Sequence, residues 1–149
     1  MLTRRVPTIL RTGLSGKPPS RARTAFSVEQ QMKVLIVEDS EPVRRMIKRF
    51  IRNQVDEFVE CADGSEAMAC YTEHHPDLVL MDLQMAEMDG FAATREIKAA
   101  FSDARVVVVS QWDSPALRTE AQKAGAESYI TKMNLLPLRD ILRTGRQKP

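Results

Sequence analysis

The chain is poor in cysteine: 149 residues contain two, Cys61 and Cys70. They fit neither a zinc-ligand spacing nor a disulfide framework, which points to a reducing, cytoplasmic compartment. Long apolar runs are also missing. The longest, VVVVS at 106–110 and LVLM at 78–81, are strand-sized and too short for a membrane span. No glycine-rich loop offers a cradle for nucleotide phosphates, which disfavours a flavin or nucleotide carrier. Acids are scarce in the first 31 residues, where Glu29 stands alone, and that stretch lacks a secretory apolar region.

What is there divides the chain in two. Residues 1–31 carry six basic side chains, Arg4, Arg5, Arg11, Lys17, Arg21 and Arg23, against one acid. Of 22 basic and 20 acidic residues in all, this leaves 16 and 19, a net of −3, for residues 32–149. The leader is rich in Arg, Ser, Thr, Pro and Gly and has no apolar period, so it is expected to be disordered. It resembles an organelle transit peptide in composition, Met32 could equally be the true start, and a functional tail is a third reading. A nonspecific electrostatic contact with nucleic acid is the most its charge suggests. Residues 32–149 have the composition of a single globular domain.

From Met32 the pattern alternates strand and helix. Lys33–Val37 reads as a strand, and Pro42 suits the first turn of a helix with Val43, Met46, Ile47, Phe50 and Ile51 on one face. A second strand is expected at Phe58–Ala62 and a helix at Glu66–His74. A third strand follows at Leu78–Met81, with a helix from near Gly90 turning Phe91, Thr94, Ile97 and Phe101 inward. A fourth strand, Arg105–Val109, precedes a helix capped by Ser114 and ended by Gly125. Ser128–Ile130 and a helix near Leu135–Arg143 close the series. Five βα units of this length predict a parallel sheet wound on both faces.

The unusual polar residues then fall on one side. Glu38 and Asp39 follow the first strand, Asp82 the third and Lys132 the fifth, while Ser110 closes the fourth. Open α/β sheets place ligands at this carboxyl edge. Adjacent carboxylates beside a core are costly unless they gain something, most often a bound cation.

With VEDS at 37–40, LVLMDLQMAEMDG at 78–90, VVVVSQWDS at 106–114 and AGAESYITK at 124–132, residues 33–143 resemble a response-regulator receiver domain, the module of two-component signalling. The resemblance implies a flavodoxin-like sheet of order 2-1-3-4-5. It implies Mg²⁺ held by Asp39, Asp82 and the backbone carbonyl of Gln84, with Glu38 acting mainly through water. Asp82 would accept a phosphoryl group from a histidine kinase, with Lys132 and Ser110 contacting it. Movement of Ser110 would be coupled to the aromatic at Tyr129. The expected partners are a histidine kinase or histidine phosphotransfer protein and a downstream protein target, with no specific nucleic acid and no membrane. A phosphorylation-dependent homodimer is a further expectation. Autodephosphorylation would be its only intrinsic reaction besides the transfer, so it is not expected to be an enzyme in the usual sense.

Some residues carry blander readings. Asp39 or Ser40 could cap the first helix, and Asp89-Gly90 turns the chain into the third. His74 and His75 are adjacent and so do not share a helix face as metal ligands would. Trp112 is an aromatic in a polar loop and, like Gln84, occupies a position where the family tunes phosphoryl lifetime; a partner contact is the other reading. Met133 replaces the usual proline after the lysine, which disfavours a cis bond, and Ala86 and Gln111 are further departures. Few residues follow the last helix, so a stand-alone receiver is expected. A phosphorelay intermediate and the receiver of a transcriptional regulator are the alternatives.

Overall fold

The computed structural model describes residues 30–85 and 87–145. Five strands, β1 (Lys33–Val37), β2 (Glu57–Cys61), β3 (Leu78–Met81), β4 (Val106–Ser110) and β5 (Ser128–Thr131), alternate with five helices. The helices are α1 (Glu41–Ile51), α2 (Gly64–His74), α3 (Gly90–Ala100), α4 (Pro115–Ala124) and α5 (Leu136–Gly145). All strand pairs are parallel, in the order β2-β1-β3-β4-β5. This is the flavodoxin-like arrangement, in which the winding reverses between β1 and β3.

Alternation along the strands sorts the core into two layers. Val34 and Ile36 of β1, Leu78 and Leu80 of β3, and Val107 and Val109 of β4 meet Ile47 and Ile51 of α1 and Leu138 and Leu142 of α5. Leu35, Val37, Val79 and Met81 point the other way, onto Ala67 and Tyr71 of α2 and Ala93 and Ile97 of α3. Val108 extends that second face toward Ala121 of α4. The inner strands are buried throughout, which is why they read as unbroken apolar runs.

The ends of elements differ from expectation by a residue or two. β2 begins at Glu57 rather than Phe58 because Lys33 pairs with Glu57. β4 runs from Val106 to Ser110 rather than from Arg105, since Ser110 still pairs with Thr131, which also carries β5 past Ile130. α2 starts at Gly64, where Asp63 accepts from the Ser65 amide, and α5 spans Leu136–Gly145. α4 matches its sequence signals: Ser114 accepts from the Leu117 amide, a cap of about 1 kcal/mol, and Gly125 ends the helix at φ 102°. Met46, placed on the apolar face of α1 by its spacing, is 41% exposed because no neighbouring side chain closes the surface between α1 and α5.

The leader expected over residues 1–31 lies, through residue 29, outside the described residues. The chain is tied down at Met32, which is buried and whose amide donates to Asp56 Oδ2 at 2.6 Å. Both cysteines are free, and burial pushes the Cys61 thiol up to about 12. Among the described residues no helix is long and apolar enough to cross a membrane.

Candidate functional site

Strand register assembles the site. Val37 of β1 pairs with Met81 of β3, so the next residues, Glu38 and Asp82, lie side by side where both strands end. The Glu38 amide donates to Cys61 O at 3.0 Å and the Asp82 amide to Val37 O at 2.9 Å, extending the ladders by one residue. At the neighbouring strand ends, the Lys132 amide donates to Ser110 O at 2.8 Å. Four of the expected residues, Glu38, Asp82, Ser110 and Lys132, are thereby fixed by backbone pairing.

Their side chains converge. One carboxylate oxygen from each of Glu38, Asp39 and Asp82 lies within 4.8 Å of the others, and these are the one such cluster among the described residues. Glu38 and Asp82 are buried and Asp39 is exposed. Lys132 Nζ lies 2.6 Å from Glu38 Oε2 and 3.1 Å from Asp82 Oδ1. Glu38 Oε1 accepts from the Ser40 amide at 3.1 Å, while Oε2 is buried with no other polar partner among the described residues. Neither Asp39 nor Ser40 caps α1 with its side chain, so the capping alternative for this pair does not hold.

Burial pushes the Glu38 and Asp82 carboxyls above their ordinary values, against the pull of Lys132. Burial alone would lower the Lys132 ammonium, yet its bond to Glu38 and the charge of Asp82 hold it above the usual lysine range. The nearby Gln84 backbone amide also pulls the Asp82 carboxyl downward, against burial. Three carboxylates therefore face one ammonium. Hard oxygen donors with uncompensated negative charge suit a hard divalent cation, so the residues present fit the magnesium expected of them.

Two features fix the Asp82 backbone from the other side. Asp89 caps α3 by accepting from the Ala92 amide at 2.7 Å. Gly90 follows so closely that a Cβ there would lie 2.0 Å from Asp82 O. The turn read at Asp89-Gly90 is thus also the rear support of Asp82. Arg44 was not singled out by sequence, yet its guanidinium donates to Glu38 O at 2.6 Å and pairs with Glu60 at 3.1 Å. Its signal was weak: one basic residue among several on α1.

Ser110 and Tyr129 are joined through a single residue. The Trp112 amide donates to Ser110 Oγ at 3.1 Å, and Tyr129 Oη donates to Trp112 O at 2.6 Å. Arg118 lies 4.9 Å over the Tyr129 ring and forms a two-point pair with Asp113. The Trp112 indole itself is exposed. His74 and His75 make no metal cluster; His75 ends α2 in the left-handed region and meets Phe101 edge-on. No cis peptide bond occurs among the described residues.

Comparison with known proteins gives the same picture. A family model described as the response regulator receiver domain matches residues 34–142. The chemotaxis protein CheY of Bacillus subtilis is 39% identical over 101 residues, covering 67% of this chain and 84% of its own. A transcriptional regulatory protein of the same organism, YhcZ, is 38% identical over 103 residues, but only 48% of its length is covered. Among solved structures, a two-component response regulator of the LuxR family from Aurantimonas sp. SI85-9A1 superposes with a TM-score of 0.69 at 30% identity, covering 76% of this chain and 86% of that one. The Vibrio cholerae chemotaxis protein CheY4 does so at 0.70 and 26% identity, over 76% and 98%. An acidic cluster with its lysine, on a 2-1-3-4-5 sheet that a family model spans almost from end to end, leaves one assignment: the chain belongs to the response regulator receiver domain family.

Proposed function

We propose that residues 32–149 form a stand-alone cytoplasmic receiver that accepts a phosphoryl group on Asp82 in a magnesium-dependent reaction, and that the leader is a separate segment. The observation that carries this reading is the convergence of Glu38, Asp39 and Asp82 on one point with Lys132 against two of them. An Asp82 carboxylate oxygen would attack the phosphorus of a phosphohistidine on a kinase or phosphotransfer protein. The P–N bond breaks, the imidazole leaves and an aspartyl phosphate remains. Asp39, Asp82, the Gln84 carbonyl and Glu38 would hold the magnesium ion, which would supply positive charge to the phosphoryl oxygens.

This chain's residues do the rest. Gly90 and the β1–β3 ladder hold the Asp82 backbone still, so the carboxylate is aimed before the donor arrives. Lys132 would shift its contact from the carboxylates toward a phosphoryl oxygen, and Ser110 would donate its hydroxyl there. Moving Ser110 breaks its bond with the Trp112 amide, and the same residue's carbonyl holds Tyr129. That link is the route by which modification would reach the face of α4, β5 and α5 where a downstream target binds.

Intact-mass measurement after incubation with acetyl phosphate and Mg²⁺ tests this. One phosphoryl group should be gained, and lost on chelation or in Asp82→Asn; a gain that persisted in Asp82→Asn would move the acceptor elsewhere. A second reading, the receiver of a transcriptional regulator, is favoured by YhcZ, which this chain matches over about half its length.

A further inference from the structure

Nothing in the spacing of Cys61 and Cys70 pairs them, yet the fold sets them against each other. Cys61 is the last residue of β2 and turns its side chain onto the sheet face that α2 covers, among Ala67 and Tyr71. Cys70 lies on α2, three residues after Ala67 and one before Tyr71, and packs on the same cluster from the helix side. Both thiols are free, but their surroundings differ: Cys61 is 3% exposed and Cys70 is half-buried. The Cys61 thiol donates to Asp63 O at 2.9 Å, which holds its sulfur in one place. Burial, and after it the Cys70 thiol beside it, push that thiol up.

We propose that Cys61 and Cys70 are a modification site, closing into a reversible disulfide when hydrogen peroxide reaches the protein. Cys70 reacts first because its sulfur is the accessible one. That sulfur attacks one peroxide oxygen, the O–O bond breaks, and the other oxygen leaves with the thiol proton as water, so Cys70 becomes a sulfenic acid. The Cys61 sulfur then attacks the Cys70 sulfur. The S–O bond breaks, and hydroxide leaves with the Cys61 proton as a second water. The two thiols are oxidised by two electrons in all, and one peroxide is reduced to two waters. A dithiol reverses the bond by thiol–disulfide exchange. In a reducing compartment such a bond is transient and responsive rather than a structural staple. It would tie α2 to the end of β2, where Cys61 O accepts the Glu38 amide at 3.0 Å. The inference goes beyond the phosphoacceptor reading and does not depend on modification of Asp82.

The test treats the full chain with submillimolar hydrogen peroxide. Both thiols should be lost to a thiol-reactive dye, the chain should stay monomeric on a non-reducing gel, and its intact mass should fall by two hydrogens. Cleavage after Glu60, Glu66 and Glu73 puts each cysteine on its own peptide. The two peptides should be recovered as one linked species that dithiothreitol separates. Cys61→Ala should stop at the Cys70 sulfenic acid, trapped by dimedone as a gain in mass. Cys70→Ser, at the half-buried position, should leave the Cys61 thiol unreacted, so the order of the steps is tested even if the buried variant does not fold. Peptides that remain unlinked would overturn the proposal. So would a dimer joined through Cys70, a Cys70 sulfinic acid formed while Cys61 stays free, or oxygen gained on Met68, Met85 or Met88 with both thiols retained.

Discussion

The two edges of the sheet use acidic residues in opposite ways. At the amino edge, the free groups of parallel strands are amides, and the acids there satisfy them: Asp56 accepts from Met32 and Asp77 from Lys33. Two further acids there are balanced by cations, Glu57 by Lys33 at 3.3 Å and Glu127 by Arg105 at 2.8 Å. At the carboxyl edge, Glu38, Asp39 and Asp82 cluster together and one ammonium, Lys132, pairs with two of them. Two of those carboxylates are buried, whereas Glu57 at the other edge is half exposed. One edge is electrostatically closed and ends strands; the other holds unmet charge, and unmet buried charge is tolerated where a ligand completes it.

Substitutions at the two edges should therefore differ in size and in sign. The largest effect belongs to Lys132→Met, which leaves two buried carboxylates facing each other. Urea denaturation without divalent ions should show a loss of about 3 kcal/mol, with millimolar Mg²⁺ restoring part of it. Gly90→Ala comes next, since its Cβ must displace Asp82 O. A loss of about 2 kcal/mol is expected, together with slower phosphorylation by acetyl phosphate; unchanged rates would show that the Asp82 backbone is not the element being held.

Asp82→Asn should act in the opposite direction. The folded protein raises the Asp82 and Glu38 carboxyls above their ordinary values, so it holds those protons more tightly than the unfolded chain. That contribution is fully present below the ordinary carboxylate values near pH 4 and is lost as pH climbs through the raised ones. In metal-free buffer at pH 8, Asp82→Asn should be more stable than the parent by about 1 kcal/mol, and the advantage should vanish toward pH 4. An advantage that did not change with pH would assign it to packing instead. The smallest effect is expected at the amino edge. Glu57→Gln, which removes one exposed partner of Lys33, should shift stability by less than about 0.5 kcal/mol.

Much of this was legible in the sequence because the strongest signals are local. The runs at 34–37 and 78–81 are apolar without interruption, and the strands there, Lys33–Val37 and Leu78–Met81, have the expected bounds. Ser114 and Gly125 mark their helix because caps act through neighbouring backbone groups. The convergence of Glu38, Asp82, Ser110 and Lys132 on one edge follows from strand order alone. Distances do not. The shorter contact of Lys132 is with Glu38 rather than with Asp82, and periodicity carries no trace of that. Arg44 was hidden among five basic residues of α1 and its end, and the part of Trp112 that matters is its peptide group, which every residue possesses. Met46 fits the helical period of a buried face, but α5 stands far enough off to leave it open.

The close approach of Gly90 to the Asp82 carbonyl limits where motion can begin. With β1 gripping the amide on one side and α3 abutting the carbonyl on the other, the strand end cannot recoil when the carboxylate changes its load. Displacement would then fall to the opposite side, where the segment from Ser110 to Ser114 carries an exposed indole. On the reading proposed above, an event at Asp82 would be transmitted toward that second flank rather than toward α3.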